Sequence, residues 1–258
     1  MGSLREKMLE EEYQRALAKM TLNDDVESRQ KNGRSAALDV DKDRQYPLEF
    51  QPQCHQFEWM KDHLSGWQFG EQGLIPAILD AIGTEGAIGT EDGVYIEYGA
   101  GDGQSLPITI QKLYEAYPPW CRLVEIDDTR RELLYERYPK AVISKTLRWS
   151  DWASQTVDIA VIDIDGSDSV IMRQMLDAGC RPAMIVCEHM DRCYSIGTSS
   201  PNPIPDWLLG TELKTGHIVQ DTAETLHWMA GKYGYERIGF NRCNSFFVRR
   251  ELFPLLFR

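Results

Sequence analysis

The sequence has little basic charge and no long hydrophobic run. Its 258 residues include 28 Lys and Arg against 40 Asp and Glu, which gives a formal net charge of −12 at pH 7. Nucleic-acid backbones and anionic lipid surfaces are bound by clustered Lys and Arg, so this composition argues against both as partners. No apolar run approaches the roughly 20 residues that cross a bilayer. We therefore expect neither a nucleic-acid nor a membrane partner.

Closely spaced cysteines are also lacking. The six cysteines are scattered and include no C-x-x-C pair. Zinc sites are built from such close Cys or His pairs, so no metal site is predicted from the cysteines. Unpaired cysteines are typical of a reducing compartment, and the first thirty residues are charged rather than apolar. These features predict a soluble, cytoplasmic protein.

The chain divides into an N-terminal arm and a larger domain. Residues 1–45 combine a charged helix, from about Leu4 to Leu22, with a polar stretch that has no periodicity. This arm is interpreted either as a solvated tail or as an element that forms a homo-oligomer or covers a substrate. From residue 46 to 258, short apolar runs alternate with amphipathic stretches, a pattern typical of one α/β domain.

Seven short apolar runs predict the strands of one sheet. They are Val94–Tyr98, Cys121–Ile126, Ala141–Ser144, Val157–Ile162, Ala183–Glu188, Tyr235–Phe240 and Ser245–Arg249. The helices predicted between them are Gln104–Tyr117, Thr129–Tyr138, Ser169–Ala178 and Ala223–Tyr233. This alternation predicts a doubly wound, mainly parallel seven-stranded sheet. Because only four residues separate the last two runs, these strands must form an antiparallel hairpin.

A glycine-rich turn follows the first predicted strand. In the run YIEYGAGDGQ, Gly99, Gly101 and Gly103 stand between this strand and the next helix. Glycines allow a ligand to approach the backbone, and a helix N-terminus offers it unpaired N–H groups. Plain turns also contain glycines, but here Glu97 precedes the turn and Glu125 ends the next strand, 22 residues after Gly103. An acid at about that distance is expected to bind ribose hydroxyls.

These acids favour S-adenosylmethionine as the ligand. In methyltransferases, a carboxylate in the position of Glu97 contacts the amino-acid part of this cofactor, while Glu125 would hold its ribose. The spacing differs from the Gly-x-Gly-x-x-Gly of an NAD(P)-dependent oxidoreductase, which remains one alternative. A non-catalytic binding protein of the same fold is the other. The cofactor-binding candidates are Glu97, Gly99, Ala100, Gly101, Gly103, Gln104, Glu125, Ile126, Asp127, Asp151, Trp152 and Asp163.

Two segments farther along the chain leave alternatives open. After the third strand, Asp151 and Trp152 would contact the adenine, or they belong to a surface loop whose tryptophans pack on the core. After the fourth strand, Asp163 is predicted to place the methyl donor or acceptor. Three carboxylates between Asp163 and Asp168 also suggest a divalent metal, but the glycine is not at the EF-hand position, so a metal is not favoured. Asp168 would alternatively cap the following helix.

The catalytic candidates are His189 and Asp163. His189 follows the fifth strand, and a histidine is the side chain best suited to accept a proton near pH 7, so it is the predicted general base. Histidines of this kind are also common in structural roles. Residues 189–221 are rich in proline and lack periodicity, which predicts a lid over the acceptor.

Together these residues resemble the FkbM-type methyltransferases. Five motifs match in order, from about Gln56 to Leu252: Gly70–Ile75, Ile96–Gly103, Val124–Asp127, Asp163–Asp168 and Asn244–Arg249. The resemblance implies the Rossmann-like methyltransferase fold, which usually ends in such an antiparallel strand, and S-adenosylmethionine as cofactor. It also implies O-methylation of a sugar or another small-molecule hydroxyl. The sequence departs from the family at residues 72, 169–171 and 188–190, which border the acceptor side, so we expect the substrate to differ.

Overall fold

A computed structural model describes residues 50–65, 70–83, 94–103, 121–153, 155–164, 168–189 and 222–257. The predicted N-terminal arm, the helix predicted at Gln104–Tyr117 and residues 190–221 of the predicted lid lie outside these ranges. Within them, no helix combines the length and the apolar character that crossing a bilayer requires.

The described strands form one sheet of eight strands. In chain order they are β1 (Gln51–Pro52), β2 (Tyr95–Tyr98), β3 (Cys121–Val124), β4 (Val142–Ser144), β5 (Ile159–Ile162), β6 (Met184–Glu188), β7 (Tyr235–Phe240) and β8 (Asn244–Arg249). Their spatial order is β1-β7-β8-β6-β5-β2-β3-β4. Strands β6, β5, β2, β3 and β4 are parallel, whereas β8 runs antiparallel to both β6 and β7. The predicted α/β fold with its antiparallel hairpin strand is confirmed, and β1 is a two-residue addition at the edge.

Helices cover both faces of this sheet. Among the described residues, the α-helices are α1 (Glu71–Ala81), α2 (Asp128–Arg137), α3 (Asp168–Asp177) and α4 (Ala223–Lys232). The same ranges also contain 3-10 helices at His55–His63, Trp149–Trp152 and Phe253–Leu256. Helix α2 begins where Asp127 accepts a hydrogen bond from the Arg130 N–H, and α4 begins where Thr222 accepts one from the Thr225 N–H.

Alternating strand side chains divide the interior into two cores. Tyr95 packs in the core that contains Ile78 of α1 and Leu134 of α2. Its neighbour Ile96 points to the other core, which contains Met172 of α3. This period of two is the natural alternation of a strand, and burial on both faces explains why the parallel strands are continuous apolar runs.

The strand order creates a crevice beside β2. Strand β2 is flanked on one side by β3 and on the other by β5. After β2 the chain adds β3 and β4 on one side, and it then adds β5 and β6 on the other. In open parallel sheets, ligands bind outside the carboxyl ends of the strands at such a switch point. The glycine-rich turn lies there, directly after β2.

Candidate functional site

A cavity of about 630 Å³ lies at the carboxyl ends of the parallel strands. This volume is within the usual range of small-molecule sites. The cavity is lined by residues that follow β2, β3, β4 and β5, together with residues of β6, β8, α1, α2 and α3. Of the sequence-predicted residues, the lining includes Glu97, Gly99, Ala100, Gly101, Glu125, Ile126 and Asp163.

The glycine-rich turn forms one wall of the cavity. The backbone N–H groups of Gly99 and Ala100 both donate to the carbonyl of Val124, at 2.9 and 3.0 Å. Gly99 has a φ of +91°, and a Cβ atom there would overlap the carbonyl oxygen of Asp163. Glycine is therefore required because the ends of β2 and β5 approach each other too closely for any side chain.

Gly103 does not line the cavity. A Cβ atom at this position would lie 2.6 Å from the ring of Tyr138, and the Tyr138 hydroxyl donates to the Gly103 carbonyl at 3.0 Å. The small size of Gly103 therefore serves the packing of the turn against α2, not contact with a ligand in this cavity. Gln104, the next predicted cofactor residue, lies outside the described residues.

Glu125 connects the end of β3 to the glycine-rich turn. One carboxylate oxygen accepts the Gly101 N–H at 2.8 Å, and the other accepts the Asp127 N–H at 2.8 Å. A carboxylate oxygen can accept two hydrogen bonds, so each retains capacity for a ribose hydroxyl. Asp127 itself lies outside the lining, because its side chain caps α2 through the Arg130 N–H. The structure therefore gives Asp127 a capping role in place of the predicted cofactor contact.

The cavity extends past β3 toward β4. Ile126 lines it with a side chain that is 53% exposed, and Lys145 and Thr146 follow the end of β4. Asp151 and Trp152, which sequence reasoning placed beside the adenine, do not line it. Trp152 is buried in the second core with the Arg122 guanidinium 5.1 Å from the centre of its ring system. The structure thus supports the core-packing interpretation of this segment.

The other half of the cavity is acidic. Glu97 and Glu71 are both buried in its wall. Burial raises the pKa of Glu97 to about 8, against the lowering effect of a hydrogen bond from the Tyr95 hydroxyl. Burial also raises the pKa of Glu71 to about 7, although hydrogen bonds from Asn241 and Asn244 lower it. The charge of Asp163 raises both pKa values further. A positively charged ligand group would therefore be stabilised here.

Asp163 lies where the sequence predicted, at the edge of the cavity after β5. Its N–H donates to the carbonyl of Tyr98 at 2.9 Å, which holds it beside the end of β2. Asp168 is fully buried at the start of α3 and accepts the Ile164 N–H at 2.9 Å. Asp165 is not among the described residues, and the described part of the chain contains no group of three or more His, Cys, Asp or Glu side chains arranged to hold a metal ion.

His189 lies away from the cavity. It is fully buried, its Nδ1 is 3.1 Å from the Ser245 hydroxyl, and its ring packs edge-on against Phe240. The backbone N–H of His189 also donates to the Cys243 carbonyl at 2.6 Å. The side chain does not line the cavity, so it is in no position to accept a proton from a substrate there. In the described structure His189 connects the end of β6 to β8, and its role as general base stays a prediction.

Several lining residues were not predicted as functional. Glu71 and Asn244 lie in two of the matched motifs, but the hydrogen bond between them joins positions 173 residues apart, and no spacing rule reveals it. Lys145 and Glu188 follow or end parallel strands, the same kind of position that identified Glu125. Extending the strand-end rule to every parallel strand would have found both.

The mainly parallel sheet, its antiparallel β8 and the cavity beside β2 define a Rossmann-like methyltransferase fold. Neither the family models nor the curated proteins contain a match to the chain, so the FkbM-type assignment stays a prediction.

Similar solved structures include magnesium protoporphyrin IX methyltransferase from Synechocystis, which holds S-adenosylhomocysteine. It is 11% identical with a TM-score of 0.44, over 74% of this chain and 87% of that one. A sugar N-methyltransferase from Streptoalloteichus is 14% identical with a TM-score of 0.45, over 80% and 97%. A pericyclic reaction enzyme is 14% identical with a TM-score of 0.41, over 81% and 50%.

Proposed function

We propose that this chain is an S-adenosylmethionine-dependent methyltransferase that acts on a small-molecule acceptor. The observation that carries the proposal is that Glu125 and Glu97 reach the same cavity from the neighbouring strands β3 and β2. Adjacent strands lie about 5 Å apart, so the two carboxylates suit two parts of a single ligand. Glu125 would hold the ribose hydroxyls and Glu97 the ammonium group of the donor.

The rest of the lining suits the same orientation. Ile126 offers an exposed apolar surface for the adenine, with Thr146 beyond it at the end of β4. The Gly101 position is open, since no atom lies within 4 Å of a Cβ placed there, so a ligand can approach the backbone. The acidic half formed by Glu97 and Asp163 would then surround the cationic end of the donor.

When bound, S-adenosylmethionine would supply a methyl group activated by its sulfonium. The chain's own part is to hold the acceptor in line with that group and to exclude water, and positioning of this kind provides a large share of catalysis. Asp163 lines the cavity directly after β5, and its proposed role is to place the donor or the acceptor. From the FkbM-type resemblance, the finer proposal is that the acceptor atom is a hydroxyl oxygen.

An NAD(P)-dependent oxidoreductase is the main rival. Glu125 would suit its ribose equally well, but a pyrophosphate would have to bind near Glu97, Asp163 and the buried Glu71. The charge of Asp163 and the burial of Glu71 and Glu97 oppose the addition of negative charge there. The acidic half of the cavity therefore favours a donor that carries positive charge.

Calorimetry with S-adenosylhomocysteine and with NADH separates these functions. We expect S-adenosylhomocysteine to bind and NADH not to bind, and Gly101→Val to abolish the first interaction by filling the open turn. The reverse preference would make the chain a nucleotide oxidoreductase. A radiolabelled methyl-transfer screen over hydroxylated small molecules, with and without Mg²⁺, then tests catalysis. Binding without any transfer across the screen would favour the non-catalytic alternative.

A further inference from the structure

Carboxylates are concentrated on one face of the sheet at the end of the cavity farthest from β4. Glu97 is two residues beyond Tyr95, and Glu188 is two residues beyond Val186, and both Tyr95 and Val186 face the core that contains helix α1. Side chains two apart on a strand point to the same face. Glu97 and Glu188 therefore point to the face on which α1 begins with Glu71.

One carboxylate oxygen of Glu71 is held by hydrogen bonds, and the other is not. Its Oε1 accepts hydrogen bonds from the side-chain amides of Asn241 and Asn244, both at 2.6 Å. The carboxylate is 4% exposed and lines the cavity, yet no hydrogen bond to its Oε2 is found in the described structure. Oε2 is not among the fully buried side-chain atoms, so a donor group of a ligand in the cavity can reach it.

Glu188 lies next to Asn244 in the sheet. It pairs in register with Asn244, which is one of the two amide donors to Glu71. Asp163 is one residue beyond β5, the strand between β6 and β2. Strand by strand from β2 to β8, the cavity wall therefore presents Glu97, Asp163, Glu188 and then Asn244 with Glu71.

The positively charged residues in the described lining lie at the opposite end. Among the described lining residues, the cations are Arg130 of α2 and Lys145 after β4, which belong to the β3–β4 side. The lining also includes the apolar side chains of Ile75 of α1 and Ile171 of α3. Apolar side chains weaken solvent screening, so the charge selectivity of the acidic end is strengthened.

In the orientation proposed above, the methyl donor contacts Glu125 and Glu97. Glu71 and Glu188 line the same cavity but have no proposed role in binding the donor. Resting on that proposed function, we propose that Glu71 and Glu188 bind a cationic amino group of the acceptor. The substrate class is then an amine-bearing small molecule, whichever of its atoms receives the methyl group. The raised pKa of Glu71, caused mainly by burial, agrees with a carboxyl group whose cationic partner has yet to bind.

Bisubstrate probes test this inference before the acceptor itself is identified. In each probe the sulfur of S-adenosylhomocysteine is replaced by nitrogen, which carries a 3-aminopropyl, a 3-hydroxypropyl or a butyl arm toward the acceptor end. We expect the aminopropyl probe to bind about tenfold to a hundredfold more tightly than the hydroxypropyl probe, as one charge-assisted hydrogen bond would give. The butyl probe should bind most weakly of the three.

Glu71→Gln and Glu188→Gln identify the responsible groups. Glu71→Gln preserves an oxygen for the two asparagine amides, so the fold should be retained, and unchanged binding of S-adenosylhomocysteine verifies this. We expect each variant to reduce the aminopropyl preference to less than about threefold, whereas Glu136→Gln on the exposed surface of α2 should leave it unchanged. Glu188→Gln provides the same readout should Glu71→Gln fail to fold.

Two results would overturn the inference while leaving the proposed function intact. The first is equal or tighter binding of the hydroxypropyl probe, which would make this end a hydroxyl site. The second is a preference for the aminopropyl probe that survives in both glutamine variants, since other groups would then create it. Failure of the wild-type protein to bind S-adenosylhomocysteine would instead refute the proposed function.

Discussion

The backbone N–H of Gly101 donates to the Glu125 carboxylate at 2.8 Å, so the residue expected to hold a ribose also fixes the turn beside it. Because the second carboxylate oxygen accepts the Asp127 N–H, Glu125 is oriented before any ligand arrives. Preorganisation of this kind reduces the entropy lost on binding. One carboxylate thereby couples the shape of the turn to ligand affinity.

Replacing Glu125 with alanine should therefore weaken binding of S-adenosylhomocysteine. We expect a loss of about 1–3 kcal/mol, because charge-assisted hydrogen bonds to the ribose disappear and the turn loses its anchor. Isothermal titration calorimetry measures the change. Glu136→Ala, an exposed residue of α2, is the matched control and should bind normally. Affinity unchanged in Glu125→Ala would mean that the ribose lies elsewhere.

Gly99→Ala should reduce the stability of the fold, whereas Gly101→Ala should mainly reduce ligand affinity. At Gly99 a Cβ overlaps the backbone of Asp163, so Gly99→Ala should lower the free energy of unfolding by roughly 3 kcal/mol or more in urea titrations. At Gly101 the φ of +58° costs an alanine only about 1 kcal/mol, and no atom obstructs it. Gly101→Ala should therefore fold, yet bind S-adenosylhomocysteine less tightly. Equal destabilisation by both would contradict the described turn.

Local sequence patterns were sufficient to predict the fold and some of the residues that line the cavity. Continuous apolar runs predicted the strands because parallel strands are buried on both faces, and the short link before Ser245 required an antiparallel neighbour. Glu97 and Glu125 were recognised because a glycine-rich turn and a strand end have fixed spacings. These are local relationships, which a single sequence displays directly.

The lining residues that no spacing rule reveals depend on contacts between distant segments. Glu71 enters the cavity wall only because the β7–β8 hairpin brings Asn241 and Asn244 against it. His189 was interpreted as a base because it follows a strand, but whether a side chain there faces the crevice or the interior depends on its neighbours in β7 and β8. Asp127 illustrates the same difficulty, since a strand-end acid can hold a ligand or cap the next helix.

The stability of the ligand-free protein should fall between about pH 5 and pH 8. Burial raises the pKa of Glu97 to about 8 and that of Glu71 to about 7, so the folded state retains protons that the unfolded state has released. The stabilisation is complete below the unfolded pKa near 4.5 and is lost as the pH rises through the folded values. Each group contributes at most about 1.4 kcal/mol per pH unit.

Urea unfolding at several pH values checks this dependence. Glu97→Gln should make the free energy of unfolding fall less steeply with pH up to about pH 8, because the neutral amide does not titrate. Asp158→Asn is an instructive comparison, since burial raises the pKa of Asp158 only to about 6 and its effect should end near that pH. A stability that rises from pH 6 to pH 8 would show that Glu97 is ionised in the folded protein.

Substitution of His189 should affect stability rather than ligand binding. The ring is fully buried and its Nδ1 lies 3.1 Å from the Ser245 hydroxyl, so His189→Ala should lower the free energy of unfolding by roughly 2–4 kcal/mol through lost packing and hydrogen bonding. A double-mutant cycle with Ser245→Ala should return a coupling of about 1 kcal/mol, as expected for contacting residues. Affinity for S-adenosylhomocysteine should remain within about threefold of the wild-type value, because neither side chain lines the cavity. A variant that is fully stable but loses methyl transfer alone would restore the proton-accepting role predicted from the sequence.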